Sequence, residues 1–314
     1  MIKGMFQESN YFTQLVMTLV ITFTIMFVSS IISLGIAVQL YHLDLSDLSN
    51  LMTNLDDPRN IAALKFSQII VSLCSFVFSS LLLGYMFSTN KNQYLGLERN
   101  PTIKFSIAAG LLVLVVFPFI NLIGTLNSEI HFPEFLRGFE NYLNKQDLMN
   151  EQLMDKFLSD SNLGGLFVNI VMVAIIPAIG EELFFRGVVQ NIFSKMTKNH
   201  HWGIWIAAAI FSLIHMQFSG FFPRMLLGAM FGYMLVWSGS IWVPILAHFV
   251  NNAAAVIMYY FVNTGNLNKN SLEYGSTSDV WPVALLSAIL SGMLLWYFYK
   301  NAPKPAETVD SYKY

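Results

Sequence analysis

The stretch "AIGEELFFRG", Ala178 to Gly187, places two adjacent carboxylates and an arginine inside a segment that is otherwise almost wholly apolar. A core helix seldom carries such residues, because a buried charge without a partner is very costly. Either these charges pair with one another, or the protein keeps them because it uses them. The composition of the rest of the chain decides which environment they occupy.

The composition is that of an integral membrane protein. Of the 314 residues, 55% are hydrophobic and only 11% are charged, whereas roughly 25% are charged in ordinary soluble domains. The mean hydropathy is +0.54, and the net charge of −2 gives no sign of a nucleic-acid partner. We therefore expect a multi-pass protein of the cell membrane, with the membrane lipids among its partners.

Eight apolar runs in the sequence meet the length of about 20 residues that a helix needs to cross a bilayer. They lie at about 11–40, 61–87, 104–126, 163–194, 202–218, 222–238, 241–263 and 280–300. The sequence thus predicts an all-α fold, a polytopic bundle of about eight transmembrane helices. Lysines and arginines are concentrated in alternate loops, and this pattern favours an orientation with both termini cytoplasmic.

The predicted spans divide the chain into five parts. Transmembrane helices 1–3 occupy residues 1–126, and a polar linker on the outer side follows at 127–162 with the periodicity of one or two amphipathic helices. Helices 4–7 occupy 163–263 and form the core that carries the charged stretch. The last transmembrane helix lies within 264–300, and 301–314 is a disordered cytoplasmic tail. We expect the linker to be a solvated connector, with a cap over a membrane cavity as the alternative.

Few ionisable side chains lie inside the apolar runs, away from their ends. They are Lys65, Glu181, Glu182, Arg186, His215 and His248, with Asn251 and Asn252 as notable amides. We expect Lys65 to snorkel from the outer end of its helix to the headgroups. The other groups come from three helices, and the helical rise places them at similar depths of roughly 10–20 Å. Ionisable groups that face the interior of a membrane bundle are candidates for a functional site.

Helical spacing predicts how these side chains are arranged. Glu182 and Arg186 are four residues apart, so they share a helix face and can pair. Glu181 points about 100° away and need not share that partner. His248 and Asn252 are also four residues apart and project into the same space. One carboxylate is therefore expected to be structural, while the other stays free for chemistry.

Neighbouring residues are expected to shape the site. Phe211 precedes His215 by four residues and can form a wall beside the imidazole. Pro177 and Gly180 are expected to bend or loosen the helix before the carboxylates and to open room beside them. Each feature also has a structural interpretation. The carboxylate–arginine pair can simply fix helix packing, and His215 and Asn252 can each be hydrogen-bonding links between helices.

The three pieces together resemble a known family. "EELFFRG" at 181–187 resembles the EExxxR motif of the CAAX protease and bacteriocin-processing (CPBP) family of intramembrane proteases. "FSLIH" at 211–215 resembles its second motif, FxxxH, and "HFVNN" at 248–252 resembles its third, HxxxN. The resemblance covers about 165–260. It implies an intramembrane endopeptidase that hydrolyses a peptide bond of a membrane-associated or CAAX-like peptide or protein.

The resemblance and the chemistry of amide hydrolysis together predict roles for these residues. The candidate catalytic residues are Glu181, Glu182, His215, His248 and Asn252, with Arg186 and Phe211 as structural support. We expect Glu181 to activate a water as general base and His215 to hold or orient the same water. The two side chains of the seventh helix suit an oxyanion hole, in which hydrogen-bond donors stabilise the developing negative charge.

Two forms of this chemistry remain open. Glu181, His215 and His248 are a reasonable zinc set, and the family is often called metalloproteases. The sequence has no HExxH motif, however, and the same residues can act as a metal-free glutamate protease. We expect no obligatory metal.

Two other classes of function use the same residues. A proton-coupled transporter would use the carboxylates and histidines as a relay, but the sequence lacks inverted repeats and its polar groups cluster at one depth. A non-catalytic scaffold or immunity factor would bind peptides in the same cavity. The intact base, histidines and asparagine argue against the scaffold.

Overall fold

The computed structural model describes residues 2–44, 51–52, 54–268 and 281–303, and within these ranges the chain is helical, without a β-strand. Besides two short helical turns, the helices are α1 (Tyr11–Leu40), α2 (Pro58–Phe87), α3 (Ile103–Ser128), α4 (Arg137–Leu158), α5 (Leu163–Thr197), α6 (His200–Leu213), α7 (Phe221–Ser238), α8 (Trp242–Asn263) and α9 (Trp281–Lys300). The predicted all-α bundle is confirmed. The predicted tail lies mostly outside the described residues, since its part from 304 to 314 is not among them.

Seven helices in the described part of the chain are long and apolar enough to cross a membrane, namely all except α4 and α6. Their outer surfaces carry large apolar side chains, such as the exposed Phe12, Phe23 and Phe27 of α1. Side chains of this kind are stable against lipid tails, whereas in water a continuous apolar surface of this size would be unfavourable. The protein is therefore a multi-pass membrane protein, and the cytoplasmic orientation of its termini stays a prediction.

The predicted span at 202–218 is shorter than expected. Its helix, α6, has 14 residues and a length of about 21 Å at the usual rise, less than the roughly 30 Å of a hydrocarbon core. The helix ends because the chain turns. The backbone N–H of His215 donates to the carbonyl of Ser212 at 3.3 Å, and Met216 adopts a φ of 51°. Hydropathy does not reveal this turn, because the residues that form it are mostly apolar.

The boundaries of the core helices are fixed by side-chain and glycine caps. The side chain of Asn162 accepts a hydrogen bond from the backbone of Gly165 at the start of α5. Asn199 caps the start of α6 in the same manner. Gly239 follows the last residue of α7 with a φ of 68°, which favours glycine. These caps determine where the chain reverses between α5, α6, α7 and α8.

Two apolar clusters hold the core helices together. The first joins α2, α5 and α7 and includes the buried Leu83, Phe185 and Leu235. The second joins α3, α7, α8 and α9 and includes Leu112 and Phe231. Helix α7 contributes to both clusters, and α6 packs against both α7 and the C-terminal half of α5. The helices that carry the three motifs are therefore held by the same packing.

The polar linker forms one amphipathic helix, α4, where the sequence allowed one or two. Its apolar residues Leu143, Phe157 and Leu158 are buried. The side chain of Asn263, at the end of α8, donates a hydrogen bond to the carbonyl of Leu158 at 2.6 Å. The helix thus packs on the core, where the sequence favoured a solvated connector.

The expectation that Lys65 snorkels to the headgroups is wrong. This side chain is only 8% exposed. Its Nζ donates to Oδ2 of Asp160 at 2.6 Å and to Oδ1 of Asn169 at 2.9 Å. These partners offset the cost of burying the ammonium group. The lysine thus links α2 to α5, through Asn169, and to the loop between α4 and α5, through Asp160.

Gly203 allows α6 to lie very close to α5. A Cβ at this position would lie 2.7 Å from the backbone nitrogen of Ser194 and 2.9 Å from the carbonyl oxygen of Gln190. Because backbone atoms cannot swing aside as a side chain can, Gly203→Ala is expected to destabilise the protein by about 1–3 kcal/mol. The measurement is the thermal unfolding temperature in detergent. Gly110→Ala in α3 is the control, since its Cβ would meet nothing within 4 Å. Equal unfolding temperatures for the two variants would contradict this account of the packing.

Candidate active site

Glu182 is fully buried at the point where α5 meets α8. Its Oε1 lies 2.9 Å from Nη1 of Arg186 and 2.9 Å from Nδ1 of His248. The predicted pair between the glutamate and the arginine therefore forms, and the histidine joins it. Because an ionised carboxylate only accepts hydrogen bonds, Nδ1 of His248 must carry a proton.

The guanidinium of Arg186 is enclosed by α6 and α7. Its Nη2 donates to the carbonyl of Gly228 at 2.9 Å. Its central carbon lies 5.0 Å from the ring centroid of Phe211 and 5.6 Å from that of Phe231, so both rings contribute cation–π contacts. A Cβ at position 228 would lie 3.3 Å from Nη2. The glycine thus leaves room for the guanidinium at a place where its charge is compensated by an acid, a carbonyl and two rings.

A break in the regular hydrogen bonding of α5 connects this helix to α8. Pro177 has no N–H, so the carbonyl of Val173 lacks the partner that an α-helix would give it. Nδ2 of Asn252 donates to this carbonyl at 2.9 Å. Residues Ile170–Ile175 form a π-helical turn just before the proline, and Glu182–Val189 form another after it. Such turns are frequent at functional sites.

Gly180 has a role in packing and does not loosen the helix as expected. A Cβ at this position would lie 2.8 Å from Cβ of Phe76. The glycine therefore allows α2 to approach α5 just before the two carboxylates. The irregular backbone in this helix is instead the pair of π-helical turns on either side of Pro177.

His215 closes the C-terminal end of α6 with its own ring. Its Nδ1 lies 2.7 Å from the carbonyl oxygen of Phe211, a bond that its backbone N–H would make if the helix continued. Since a carbonyl only accepts, Nδ1 carries the proton, and Nε2 of the neutral ring is an acceptor. The Phe211 ring lies edge-on to the imidazole at 4.9 Å, which confirms the predicted wall.

The side chains of α8 are fixed on one side and open on the other. The ring of His248 stacks on Phe231 at 5.4 Å, and its Nε2 lies 3.8 Å from Oε2 of Glu181. Oδ1 of Asn252 accepts a hydrogen bond from Asn251 at 3.0 Å. The Asn252 amide has two N–H donors, of which the carbonyl of Val173 takes one. The other remains for a ligand.

One cavity of about 920 Å³ brings the candidate residues together. It is lined by Glu181, Phe211, His215, His248 and Asn252, whereas the paired Glu182 and Arg186 do not line it. Its size is within the range of ligand-binding cavities, about 300–1,000 Å³. The arrangement offers one accessible carboxylate, imidazole nitrogens and a carboxamide to whatever enters.

Several polar residues of the cavity were missed by the sequence analysis. Among them are Asp147 of α4, Gln217 in the loop after α6, Arg224 at the start of α7, and Tyr259 of α8. Charged residues at the ends of apolar runs were set aside because they can reach water, and Asp147 lies in the linker. Only the folding of the linker and of the α6–α7 loop against the core brings them here, and no local pattern indicates it.

The zinc set considered above does not fit this arrangement. Within the ranges that the structure describes, no three His, Cys, Asp or Glu side chains are grouped closely enough to hold a metal ion. The hydrogen bonds of the two histidines use Nδ1 and leave Nε2 of each ring open, so the misfit lies in the spacing of the side chains and not in their hydrogen bonds. A zinc site needs at least three protein ligands directed at one point, so we derive no step through a metal.

The segment that builds this cavity matches a described family model. The model is that of the type II CAAX prenyl endopeptidases, Rce1-like, and it covers residues 163–254, from α5 into α8. Residues 163–254 are therefore similar to this family. The match contains all three motifs and confirms the resemblance to the CAAX protease family. No solved structure is significantly similar to the chain.

Three curated proteins are each similar to about a third of the chain or less. "Uncharacterized protein YpbD" of Bacillus subtilis is 30% identical over 89 residues, which are 27% of this chain and 42% of that protein. "Uncharacterized 24.3 kDa protein" of Escherichia coli is 26% identical over 105 residues, 31% of this chain and 47% of that one. "Putative membrane peptidase YdiL" of B. subtilis is 29% identical over 89 residues, 28% and 36% of the two chains. The chain therefore spans less than half the length of these relatives, and the Rce1-like match supports a peptidase.

Removing the arginine of the buried pair is expected to destabilise the protein strongly. Arg186→Leu leaves the Glu182 carboxylate buried beside a single hydrogen-bond donor, and breaking such a pair typically costs about 3–5 kcal/mol. Thermal unfolding in detergent measures the loss. The matched control is Arg137→Leu, which breaks an exposed contact with Glu134 that is worth about 1 kcal/mol at most. Similar unfolding temperatures for both variants would contradict the structural role of the pair.

Proposed function

We propose that the protein is an intramembrane endopeptidase that uses Glu181 to activate water. The observation that carries the proposal is that two adjacent glutamates lie in different environments. Glu182 is buried and paired with Arg186, while Glu181 lines the cavity, where its Oε2 lies 3.8 Å from Nε2 of His248. A general base needs a carboxylate that can accept a proton and reach the substrate.

In the proposed reaction, Glu181 removes a proton from a water while the water oxygen bonds to the carbonyl carbon of the substrate. Nε2 of His215 accepts a hydrogen bond from the same water and orients it. The carbonyl π bond breaks, and its electrons become the charge of the oxyanion. The tetrahedral intermediate then collapses, the C–N bond breaks, and Glu181 returns its proton to the amine that leaves. The glutamate ends as a carboxylate, ready for another cycle.

The oxyanion would be stabilised from α8. The second N–H of Asn252 is one donor, and its direction is fixed by bonds to Val173 and Asn251. His248 is the other donor when its Nε2 carries a proton. Loss of one such donor typically reduces the rate about 10²–10³-fold.

We propose a membrane-associated peptide or protein as the substrate, in the cell membrane. The cavity is built from helices that also face lipid, so a peptide anchored in the membrane can reach it. The family that the segment resembles is named for prenyl endopeptidases, which makes prenylated CAAX-like peptides one class to test. A peptide-binding scaffold and a proton-coupled transporter remain the alternatives that the experiment must separate from this proposal.

Glu181→Gln is expected to lower peptide cleavage about 10²–10⁴-fold, because the amide cannot take the proton from water. The measurement is cleavage of a quenched membrane-peptide library, with prenylated and unprenylated members, by the purified protein in detergent. The control is Glu151→Gln, which removes an acid that lines the same cavity but has no proposed role. His215→Ala is expected to lose activity as well. Cleavage that survives both Glu181→Gln and His215→Ala would refute the assignment, and peptide binding without turnover by the wild type would favour the scaffold.

Chelation is expected to leave the cleavage rate unchanged. The reason is that, within the ranges that the structure describes, no three side chains of the zinc-binding types are grouped closely enough to hold a metal ion. The assay is the same cleavage reaction after prolonged dialysis against a strong zinc chelator, followed by addition of zinc. A loss of activity that zinc restores would overturn the metal-free reaction.

A further inference from the structure

The cavity contains two buried polar atoms that have no hydrogen-bond partner within the described chain. They are Nη1 of Arg224, at the start of α7, and Oδ1 of Asp147, on α4. Both side chains line the cavity that also contains Glu181 and His215. A buried donor or acceptor atom that is left without a hydrogen bond is unfavourable. Two such groups of opposite character in one cavity point to a ligand.

The other atoms of these two side chains are held in place. Nη2 of Arg224 donates to Oε1 of Gln217 at 2.7 Å. Oδ2 of Asp147 accepts a hydrogen bond from the backbone N–H of Ser219 at 3.1 Å. The unpartnered donor and acceptor therefore sit on side chains that are already oriented by the α6–α7 loop. Charge interaction also couples Arg224 to Asp147 and to Glu181.

The charges of the cavity decide which kind of ligand fits. Three acids, Asp147, Glu151 and Glu181, line it together with one basic residue, Arg224. A charged ligand group would meet a like charge at one of the two unpartnered atoms, since a carboxylate would be repelled by Asp147 and an ammonium group would be repelled by Arg224. A peptide unit is uncharged and offers one carbonyl acceptor and one N–H donor, which match the two unpartnered atoms.

We propose that Arg224 and Asp147 form a binding site for the main chain of the substrate, away from the bond that is cut. The guanidinium donates to a substrate carbonyl, and the carboxylate accepts from a substrate N–H. Both atoms are shielded from solvent, so the peptide reaches them after entering the cavity and displacing the groups that cover them. The inference rests on the proposed function, since it takes the peptide to be the substrate. At this site the protein is therefore expected to recognise the peptide backbone and not particular side chains of the substrate.

The test measures peptide binding with turnover switched off. In the Glu181→Gln background, the affinity for dye-labelled, end-blocked library peptides is compared with and without Asp147→Asn and Arg224→Gln. The asparagine can keep the bond to Ser219 but presents an amide donor in place of the free carboxylate oxygen. Each substitution is expected to weaken binding about tenfold or more, the usual effect of losing a hydrogen bond to a charged group. Glu151→Gln, on the same helix, is the matched control and is expected to change nothing.

A second measurement distinguishes direct contact from a merely structural effect. The tightest-binding peptide is resynthesised as a series in which one backbone amide at a time is replaced by an ester, which removes the N–H donor. One ester position is expected to weaken binding to the parent about tenfold, and Asp147→Asn is expected to abolish that difference. The proposal would be overturned if the two substitutions left the affinities unchanged, if no ester position depended on Asp147, or if no peptide bound at all. Cleavage by the wild type together with any of these results would leave the proposed peptidase intact and refute only this site.

Discussion

The ion pair between Glu182 and Arg186 is the interaction on which the rest of the site depends. In a low-dielectric interior neither charge is tolerable alone, and each also bonds to a different helix. The carboxylate holds His248 on α8, and the guanidinium holds the carbonyl of Gly228 on α7. A pair formed within one helix therefore sets the positions of two others. The charges that looked costly in the sequence are what bring the motif helices together.

The same pair separates two side chains that are chemically identical and adjacent in sequence. Glu182 is bonded through Oε1 to Arg186 and His248 and does not line the cavity, while Glu181 faces it beside His248. Two other side chains are divided in a similar way. His215 and Asn252 each donate one hydrogen bond to a backbone carbonyl that the helix leaves without a partner, and their other polar atoms remain for the cavity. Each of these side chains therefore has one atom that fixes it to the helices and another that is available in the cavity. The site is held in place without further buried polar groups.

Much of the fold and the principal site residues could be predicted from the sequence. Hydropathy gave the long spans, and helical spacing gave the pairing of Glu182 with Arg186 and the common face of His248 and Asn252. Hydropathy did not reveal the early end of α6, because a turn of apolar residues has the same hydropathy as a helix of such residues. Nor did it give the partners of Lys65 or the places of Asp147 and Arg224, which arise only when the linker folds onto the core. Local patterns encode helices and faces, whereas such contacts depend on the packing of distant segments.

The hydrogen bond from Asn252 to the carbonyl of Val173 has an evolutionary consequence. The carbonyl is available to a side chain because Pro177, one helical turn later, has no N–H to offer it. A residue other than proline would supply that N–H and release the amide of the asparagine from its anchor. The two positions should therefore covary among relatives: where the proline is retained, a donor at 252 is needed to satisfy the backbone of the neighbouring helix. The proline would then constrain the residue at position 252 on another helix, because it leaves the Val173 carbonyl without a backbone donor.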